Sequence, residues 1–462
     1  MRTTFQRWLG LVLLGVFFYC GTGALLAAAN SLAWHQKDGR VDANITSWDI
    51  AKVLETIAAD TGWQIYVEPD IQLNVSAKFK SLSSGDALRS LLGNLNFAVV
   101  PQKNGSQRLY VFRTTQSQAT RLIVARKPAK PIPNELVVTL KPGSKTKIED
   151  LARSLGAKIV GRMDDKNAYR LQFDDEAAAN AARSELADNP DVQSVDSNFN
   201  VARPPDVNYS PTSAASDLQL KPKSNDGNCQ LVIGMPDTTM QPPPTNLANF
   251  FLPSLSVVPS SPLNPAQVTH GTAMAETMLG VLGKVTGGST SVKILPVDIY
   301  GSGESTTTFD VANGVIKAVN GGANVISMSL GSDGDSPFLH NILTQVSNQG
   351  IPIFAAAGNT PVTTPTYPAA YPEVVAVTAS DRSGNLASYA NHGSFVDMIA
   401  PGDTTFKYNN QTYFAQGTSA ATAYAAAMAA GLADTAHACA DQALPLLRNS
   451  LKAPPTPTAS AK

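Results

Sequence analysis

Four polar residues in the second half of the chain are of the types that amide hydrolysis requires. Asp237 and Asn359 each follow an apolar run, and His270 and Ser419 each open a segment compatible with a helix. A serine hydroxyl is a poor nucleophile at neutral pH, so Ser419 needs a base within hydrogen-bond reach. His270 suits that role, because an imidazole with a pKa near about 6.5 can take the proton and return it to a leaving amine.

The other two residues complete a hydrolytic set. Asp237 would orient His270 and stabilise the imidazolium that forms during the reaction. The Asn359 side-chain amide and the Ser419 backbone N–H would bind the negative oxygen of a tetrahedral intermediate. A helix start at Ser419 adds unpaired N–H groups and a positive dipole end. Serine also favours helix N-caps, and a capping role for Ser419 is compatible with a catalytic one.

These residues stand in motifs that resemble the subtilisin-like serine proteases, the subtilases. The motifs include His270-Gly271-Thr272 and Gly417-Thr418-Ser419, in the Asp, His, Ser order of that family. The resemblance implies an α/β fold with a subtilisin-like three-layer parallel-sheet catalytic domain over residues 229–440. It also implies a serine endopeptidase that hydrolyses peptide bonds through an Asp-His-Ser triad and an acyl-enzyme.

The resemblance extends to the residues expected to hold substrate. A substrate would lie as an extended strand between two short walls, with an open pocket for an apolar side chain before the scissile bond. The expected residues are Gly301, Ser302 and Gly303 on one wall, Ser329, Leu330 and Gly331 on the other, and Ala357 and Gly358 at the pocket.

Several residues depart from the family pattern near the catalytic positions. They are Pro236 before the aspartate, Thr238 and Thr239 after it, Glu276 in the histidine helix, and Ala420 and Ala423 in the serine helix. None removes a catalytic atom, but a shift of about 1 Å in a catalytic group can weaken catalysis. These departures leave open an alternative of another class, a catalytically weak or self-cleaving binding or scaffold protein of the cell envelope, although the intact catalytic residues argue against it.

Two small α+β domains are predicted before the catalytic domain. Residues 43–115 resemble the short N-terminal domain of secretins and TonB-dependent receptors, which implies a cell-envelope partner; a generic α+β module fits the same pattern. Residues 134–200 have the order βαββαβ of a ferredoxin-like fold. Directly before a subtilase-like domain, this unit resembles a propeptide that assists folding and then acts as an intramolecular inhibitor.

The segment between propeptide and catalytic domain is predicted to be an exposed linker. Residues 201–228 contain four prolines without periodicity, as is typical of readily cleaved segments. The implied protein is a zymogen that processes itself in this region. Residues 453–462 are predicted to be a disordered tail.

Composition and the N-terminus favour an exported protein. The chain has 462 residues, enough for about three domains. Its 35 basic and 36 acidic residues leave no basic footprint, so protein or peptide substrates are expected and nucleic acid is not. Residues 1–30 match a signal peptide, and a retained N-terminal anchor fits the same length. The expected location is therefore secreted, periplasmic or inner-membrane anchored facing the periplasm.

Cysteine and metal patterns are less informative. If the signal is removed, Cys229 and Cys439 remain, and they could form a disulfide or two separate buried thiols. No zinc motif of the His-Glu-x-x-His type occurs, so no metal ligand is predicted. Structural calcium is implied by family resemblance alone.

Overall fold

In the computed structural model, the described residues are 31–448, except 36–37, 70, 72, 103–105, 124–128, 207–217, 225–229, 260–261, 265–266, 440–441, 443 and 445–446. The predicted signal at 1–30 and the predicted tail at 453–462 lie outside the described residues. Within the described part of the chain, no helix is both long and apolar enough to cross a membrane.

The N-terminal domain contains two helices, both of which the sequence predicted. They are α1 (Ile50–Thr61) and α2 (Ser84–Leu92). The strands are β1 (Ser31–His35), β2 (Arg40–Asp49), β3 (Gln64–Val67), β4 (Asn74–Ser83), β5 (Asn96–Pro101), β6 (Gln107–Phe112) and β7 (Arg121–Ile123). They form sheets of order β1-β2-β4 and β5-β6-β3-β7. Strands β1, β2 and β7 were not predicted and extend the domain beyond residues 43–115.

The second domain has the βαββαβ order that the sequence predicted. Its elements are β8 (Glu135–Leu140), α3 (Ile148–Ser154), β9 (Lys158–Met163), β10 (Ala168–Gln172), α4 (Glu176–Ala187) and β11 (Val192–Ser197). The four strands pair antiparallel in the order β11-β8-β10-β9. Asp175 begins α4, because its side chain accepts a hydrogen bond from the amide of Ala178 at 2.8 Å.

The remaining elements belong to the third domain, called the catalytic domain here because it holds the predicted catalytic residues, and to the segment before it. The strands are β12 (Asn200–Ala202), β13 (Lys221–Pro222), β14 (Val232–Asp237), β15 (Leu255–Ser256), β16 (Ser289–Thr290), β17 (Lys293–Asp298), β18 (Ser305–Thr307), β19 (Val325–Met328), β20 (Ile353–Ala356), β21 (Val374–Ser380), β22 (Met398–Pro401), β23 (Asp403–Tyr408) and β24 (Gln411–Gln416). The helices are α5 (His270–Val285), α6 (Thr308–Asn320), α7 (Pro337–Ser347) and α8 (Thr418–Ala436).

A parallel sheet of seven strands forms the centre of the catalytic domain. Its order is β15-β17-β14-β19-β20-β21-β22. One hydrophobic cluster packs α5 and α8 on one face, and a second cluster packs α6 and α7 on the other. The strands are apolar and buried on both faces, as expected for a covered parallel sheet. Because ligands bind where the carboxyl ends of such strands meet, this edge is where functional residues are expected.

Pro236 fits the central strand β14 because of where its backbone points. The carbonyls of Leu231 and Asp237 both accept hydrogen bonds from amides on the β17 side. Alternation along the strand therefore directs the backbone of Pro236 toward β19. Pairing with β19 covers only Ile233 and Gly234, so Pro236 lies beyond that ladder and removes no donor from it.

The region 201–228, predicted to be an exposed linker, is paired with strands near both ends, although Lys221 and Pro222 are exposed. Strand β12 pairs antiparallel with β18 of the catalytic domain, and β13 pairs with β16. Val201 and Leu220 are buried, because each packs its apolar side chain against the catalytic domain. Residues 207–217 and 225–229 lie outside the described residues. Cys439 is disulfide-bonded, whereas Cys229 falls in the second of these ranges.

Candidate active site

Asp237 and His270 form a buried carboxylate–imidazole pair at the carboxyl edge of the sheet. Asp237 is the last residue of β14 and His270 is the first of α5. The Nδ1 of His270 lies 2.8 Å from Oδ1 and 3.0 Å from Oδ2 of Asp237, so Nδ1–H donates to the carboxylate. The two residues are only 1% and 5% exposed. With Nδ1 bonded to the carboxylate, Nε2 is the ring nitrogen that is left to interact with another group.

Thr238, one of the departures from the family pattern, holds this pair together. Its amide donates to Oδ1 of Asp237 at 2.6 Å, and its Oγ1 accepts from the amide of Gly271 at 2.8 Å. A Cβ atom at position 271 would collide with the carbonyl oxygen of Thr238, so glycine is needed there. The threonine therefore connects the strand that carries the acid to the helix that carries the histidine.

Ser419 lies in the first turn of α8, after Gly417 at the N-cap. Its hydroxyl donates to the carbonyl of Ser329 at 3.2 Å, and the hydroxyl of Ser329 donates to the carbonyl of Ser419 at 3.0 Å. Across the described residues, no hydrogen bond joins Ser419 to His270. Ser419 is thus held by the cleft wall that Ser329 begins, with its backbone N–H at a helix N-terminus.

The side chain of Asn359 is oriented by Thr418. Its Oδ1 accepts from the amide of Thr418 at 2.8 Å and from the Thr418 hydroxyl at 3.0 Å. The same hydroxyl accepts from the amide of Gly358 at 3.1 Å. Because the amide oxygen is occupied, the Nδ2 donors of Asn359 are the polar atoms of this side chain that are left to bind another acceptor. Thr418 was not predicted as a site residue, although it stands inside the motif that identified Ser419.

The structure brings four of the eight predicted substrate residues to one cleft: Ser329, Leu330, Gly331 and Gly358. This cleft has a volume of about 490 Å³. Its walls include Ser329, Leu330, Gly331, Gly358, Asn359, Thr366, Thr418 and Ser419. Ala357 is fully buried, and its amide bonds to Val377, so its side chain does not reach the cleft.

The opposite wall is in contact with the segment that follows the second domain. The guanidinium of Arg203 donates to the carbonyl of Gly301 at 2.9 Å, and a longer bond of 3.4 Å reaches Gly303. The amide of Arg203 donates to Glu304 at 2.9 Å. The next two residues, Pro204 and Pro205, line the same cleft as Ser419. Ser302 is exposed beside them.

The second domain is anchored to helix α6 of the catalytic domain. Arg170 on β10 forms an ion pair of 2.7 Å with Asp310, in which both side chains are largely buried. Asn198 accepts hydrogen bonds from the Thr308 hydroxyl at 2.9 Å and the Phe309 amide at 3.1 Å. Its own amide donates to Glu135 at 2.8 Å. The end of the second domain therefore contacts the N-terminus of α6. Residues that follow in the chain, between Asn200 and Pro205, line the cleft.

Glu276, another departure from the family pattern, is buried on the histidine helix. It is 6% exposed and lines a cavity of about 1000 Å³, together with Lys284 and Asp403. Burial raises the pKa of Glu276 from 4.5 to about 7. The ionised carboxylate is therefore disfavoured in the folded protein.

Replacing Glu276 with glutamine is expected to stabilise the protein at alkaline pH. The folded state holds the proton up to about pH 7, whereas the unfolded chain loses it near pH 4.5, so the stability of the natural protein falls between these values. Above pH 7, Glu276→Gln should raise the free energy of unfolding by as much as about 3 kcal/mol. Urea unfolding at pH 4 and pH 8.5 checks this, with Glu185→Gln as an exposed control. An equal gain at both pH values would contradict the explanation.

Metal ligands were not predicted beyond the family-implied calcium. Among residues 31–448 as described, no group of three or more His, Cys, Asp or Glu side chains comes together in a way that could hold a metal ion.

Two family matches cover the second half and the middle of the chain. Residues 246–445 match the subtilase family, and residues 117–198 match the fervidolysin N-terminal prodomain. The subtilase match begins after Asp237, so the assignment of the acid depends on its geometry. Neither match includes residues 43–115, because the earlier of the two begins at residue 117. The secretin-like interpretation of residues 43–115 therefore stays a prediction.

Curated relatives are proteases that this chain matches over part of their length. Thermitase of Thermoactinomyces vulgaris is 38% identical over 36% of this chain and 61% of its own length. A thermophilic serine proteinase of Bacillus sp. strain AK1 is also 38% identical, over 36% of this chain and 42% of that protein. Subtilisin Savinase of Lederbergia lenta is 33% identical, over 38% and 66%.

Solved structures agree on the fold. The epidermin leader peptide processing serine protease of Staphylococcus aureus covers 68% of this chain and 92% of that one, with a TM-score of 0.54 at 16% identity. Fervidolysin from Fervidobacterium pennivorans, described as a keratinolytic enzyme related to subtilisin, covers 67% and 55%, with a TM-score of 0.51 at 16% identity. Residues 246–445 thus belong to a subtilase-family domain with a subtilisin-like fold, and residues 117–198 form a fervidolysin-type prodomain before it.

Proposed function

We propose that this protein is an exported serine endopeptidase that is made as a self-processed zymogen. The observation that carries the proposal is the buried Asp237–His270 pair at the sheet edge where Asn359 and Ser419 line one cleft. Acyl transfer by a serine requires a nucleophile, a base, a carboxylate that orients the base, and a donor to the oxyanion. The subtilase match over residues 246–445 supports the same reaction.

In the proposed reaction, Ser419 attacks the carbonyl carbon of a peptide bond. Its hydroxyl leaves the Ser329 carbonyl and passes its proton to Nε2 of His270, and Asp237 stabilises the imidazolium. The oxygen of the tetrahedral intermediate receives hydrogen bonds from Nδ2 of Asn359 and the amide of Ser419. His270 then protonates the leaving amine, and water releases the acyl group by the same steps.

The zymogen part of the proposal is supported by the path of the chain out of the prodomain. Strand β12 is paired with β18, Arg203 is held by Gly301, and Pro204 and Pro205 line the cleft of Ser419. A chain in this position excludes other peptides from the cleft. We place the processing bond downstream of Pro205, within the predicted region 201–228. Export is proposed from residues 1–30 alone.

Labelling with a fluorophosphonate tests the proposal. The purified chain, after self-processing, is expected to react with the fluorophosphonate at Ser419 and to cleave unstructured peptides. Protein that is denatured before the probe is added should not be labelled. Mass spectrometry of tryptic fragments locates the label. A folded, processed protein without label at Ser419 would contradict the proposal. Labelling with cleavage limited to one bond of its own chain would favour the binding or scaffold alternative.

Replacing Asn359 with alanine is expected to slow peptide hydrolysis by about 10²- to 10³-fold. The substitution removes one donor to the anionic oxygen, which typically costs about 3–4 kcal/mol of barrier. The loss should appear in kcat with little change in KM, because the bond strengthens in the transition state. Asn341→Ala, on the exposed surface of α7, is the control. A change in KM alone would place Asn359 in substrate binding instead.

A further inference from the structure

Helix α1 of the N-terminal domain contacts a loop of the catalytic domain through one buried carboxyl group. Glu55 is 6% exposed. One of its oxygens accepts from the backbone amide of Thr363 at 2.9 Å, and the other accepts from the hydroxyls of Thr364 at 2.8 Å and Thr363 at 3.3 Å. The partners are 308 and 309 positions apart in the chain, so the contact joins two domains.

On the catalytic domain, Glu55 is bound by neutral hydrogen-bond donors and not by a positive charge. Burial raises the pKa of Glu55 and Asp49 adds to that effect, whereas the donors of Thr363 and Thr364 oppose it. A carboxyl group removed from water is tolerated only where donors replace its hydration. The contact therefore requires the loop to keep the conformation that points these donors at Glu55.

That loop, residues 360–366, is here called the cleft loop. It begins directly after Asn359, where the amide of Thr360 donates to Oδ1 of Asn391 at 2.9 Å. Nδ2 of Asn391 donates to the hydroxyl of Thr366 at 3.0 Å. Thr366 lines the cleft, where a Cβ at Gly331 would come within 2.8 Å of its methyl group.

The loop is also joined to the segment after β19 that forms one wall of the cleft. Tyr367, the next residue, exchanges two backbone hydrogen bonds of 2.8 Å with Ser332. The cleft loop thus runs from the oxyanion donor to the substrate wall, and Glu55 holds its middle. A displacement there would move both ends, because the loop is short and bonded at each end.

We propose that Glu55 is a positioning residue for the protease, and that the N-terminal domain acts on the cleft by holding the cleft loop. The inference rests on the proposed function for its kinetic part. It gives the N-terminal domain a partner within the chain: a loop that presents a backbone amide and two threonine hydroxyls to a buried carboxylate. Glu55 does not touch substrate and acts through Asn359 and Thr366.

The first experiment measures self-cleavage of the full chain. Glu55→Ala is expected to lower the first-order rate constant about tenfold, because misplaced catalytic groups slow chemistry strongly. Glu55→Gln should restore most of the rate, since its amide oxygen still accepts from Thr363. Glu68→Ala and Glu68→Gln are the matched controls, because Glu68 is equally buried but accepts from Arg113 and Thr114 of its own domain.

The rate constant of self-cleavage and the fraction of molecules that cleave together distinguish a positioning role of Glu55 from a purely structural one. A purely structural role would reduce the fraction of molecules that cleave and leave the rate constant of the remainder unchanged. A positioning role lowers the rate constant at full amplitude. An unchanged or higher rate constant in folded Glu55→Ala protein would overturn the inference.

The second experiment does not depend on catalysis. In a Ser419→Ala background, hydrogen exchange at the amides of residues 360–366 is expected to accelerate about tenfold with Glu55→Ala and to stay unchanged with Glu68→Ala. Unchanged exchange would overturn the contact itself. If the natural chain shows no Ser419-dependent cleavage, the proposed function fails, and the exchange data still decide whether Glu55 holds the loop.

Discussion

A chain in which Ser419 is replaced by alanine is expected to remain uncut and to hydrolyse peptides about 10⁶-fold more slowly than the natural protein. In the proposed reaction, Oγ of Ser419 is the protein atom that forms a bond to the substrate carbon. The fold should survive, because the hydroxyl makes a single hydrogen bond in the described structure, to the carbonyl of Ser329. Gel analysis of the expressed chain and peptide assays check both effects.

The control for this prediction is a serine outside the cleft. Ser388→Ala changes an exposed residue and should process itself like the natural chain. Circular dichroism of both variants should match the natural protein. If Ser419→Ala were still cut at the same bond in a protease-free host extract, self-processing by Ser419 would be excluded, whatever its role on other substrates.

The second large effect is expected for Asp237→Asn, which should lower kcat by about 10⁴-fold. The carboxylate accepts Nδ1–H of His270 in two short contacts, which fixes Nε2 as the base. An asparagine can offer its NH₂ to Nδ1 instead, and the ring proton then moves to Nε2. A histidine in that tautomer cannot accept the proton of Ser419. The variant keeps the side-chain shape and loses the correct proton position.

Kinetics at several pH values test this explanation. The fold should be retained, with fluorophosphonate labelling of Ser419 slowed in parallel with peptide hydrolysis. Asp381→Asn, in an exposed turn of the same domain, is the matched control and should keep natural rates. Nearly normal labelling in Asp237→Asn would mean that another residue orients His270.

The sequence predicted the fold and the places in it at which the candidate site residues stand. Asp237, His270 and Ser419 fall at the end of a strand or the start of a helix, and such positions can be recognised from motifs and apolar runs. The βαββαβ order of the prodomain was predicted in the same way, from alternation and helical spacing. These features depend on short stretches of chain, so one sequence is enough to show them.

What the sequence did not show depends on contacts between distant segments. The sequence marks Thr238 only as a departure from the family pattern, whereas its contacts with Asp237 and Gly271 hold the acid and the histidine together. Nothing local to Glu55 indicates that it meets Thr363. Strand β12 was hidden because prolines follow it, and its partner β18 lies about a hundred residues further on. Such pairings require the folded chain.

The double attachment of the first 200 residues has a consequence for release. After a cut downstream of Pro205, the prodomain and the N-terminal domain form one fragment. This fragment contacts the catalytic domain at two patches, through Arg170 to Asp310 and through Glu55 to Thr363. When the contact at one patch opens, the contact at the other still holds the fragment on the catalytic domain. The open patch therefore rebinds at a high effective concentration. The fragment would therefore act as a bivalent ligand that resists dilution. A second cut between its two domains would convert it into two weak, separately lost pieces.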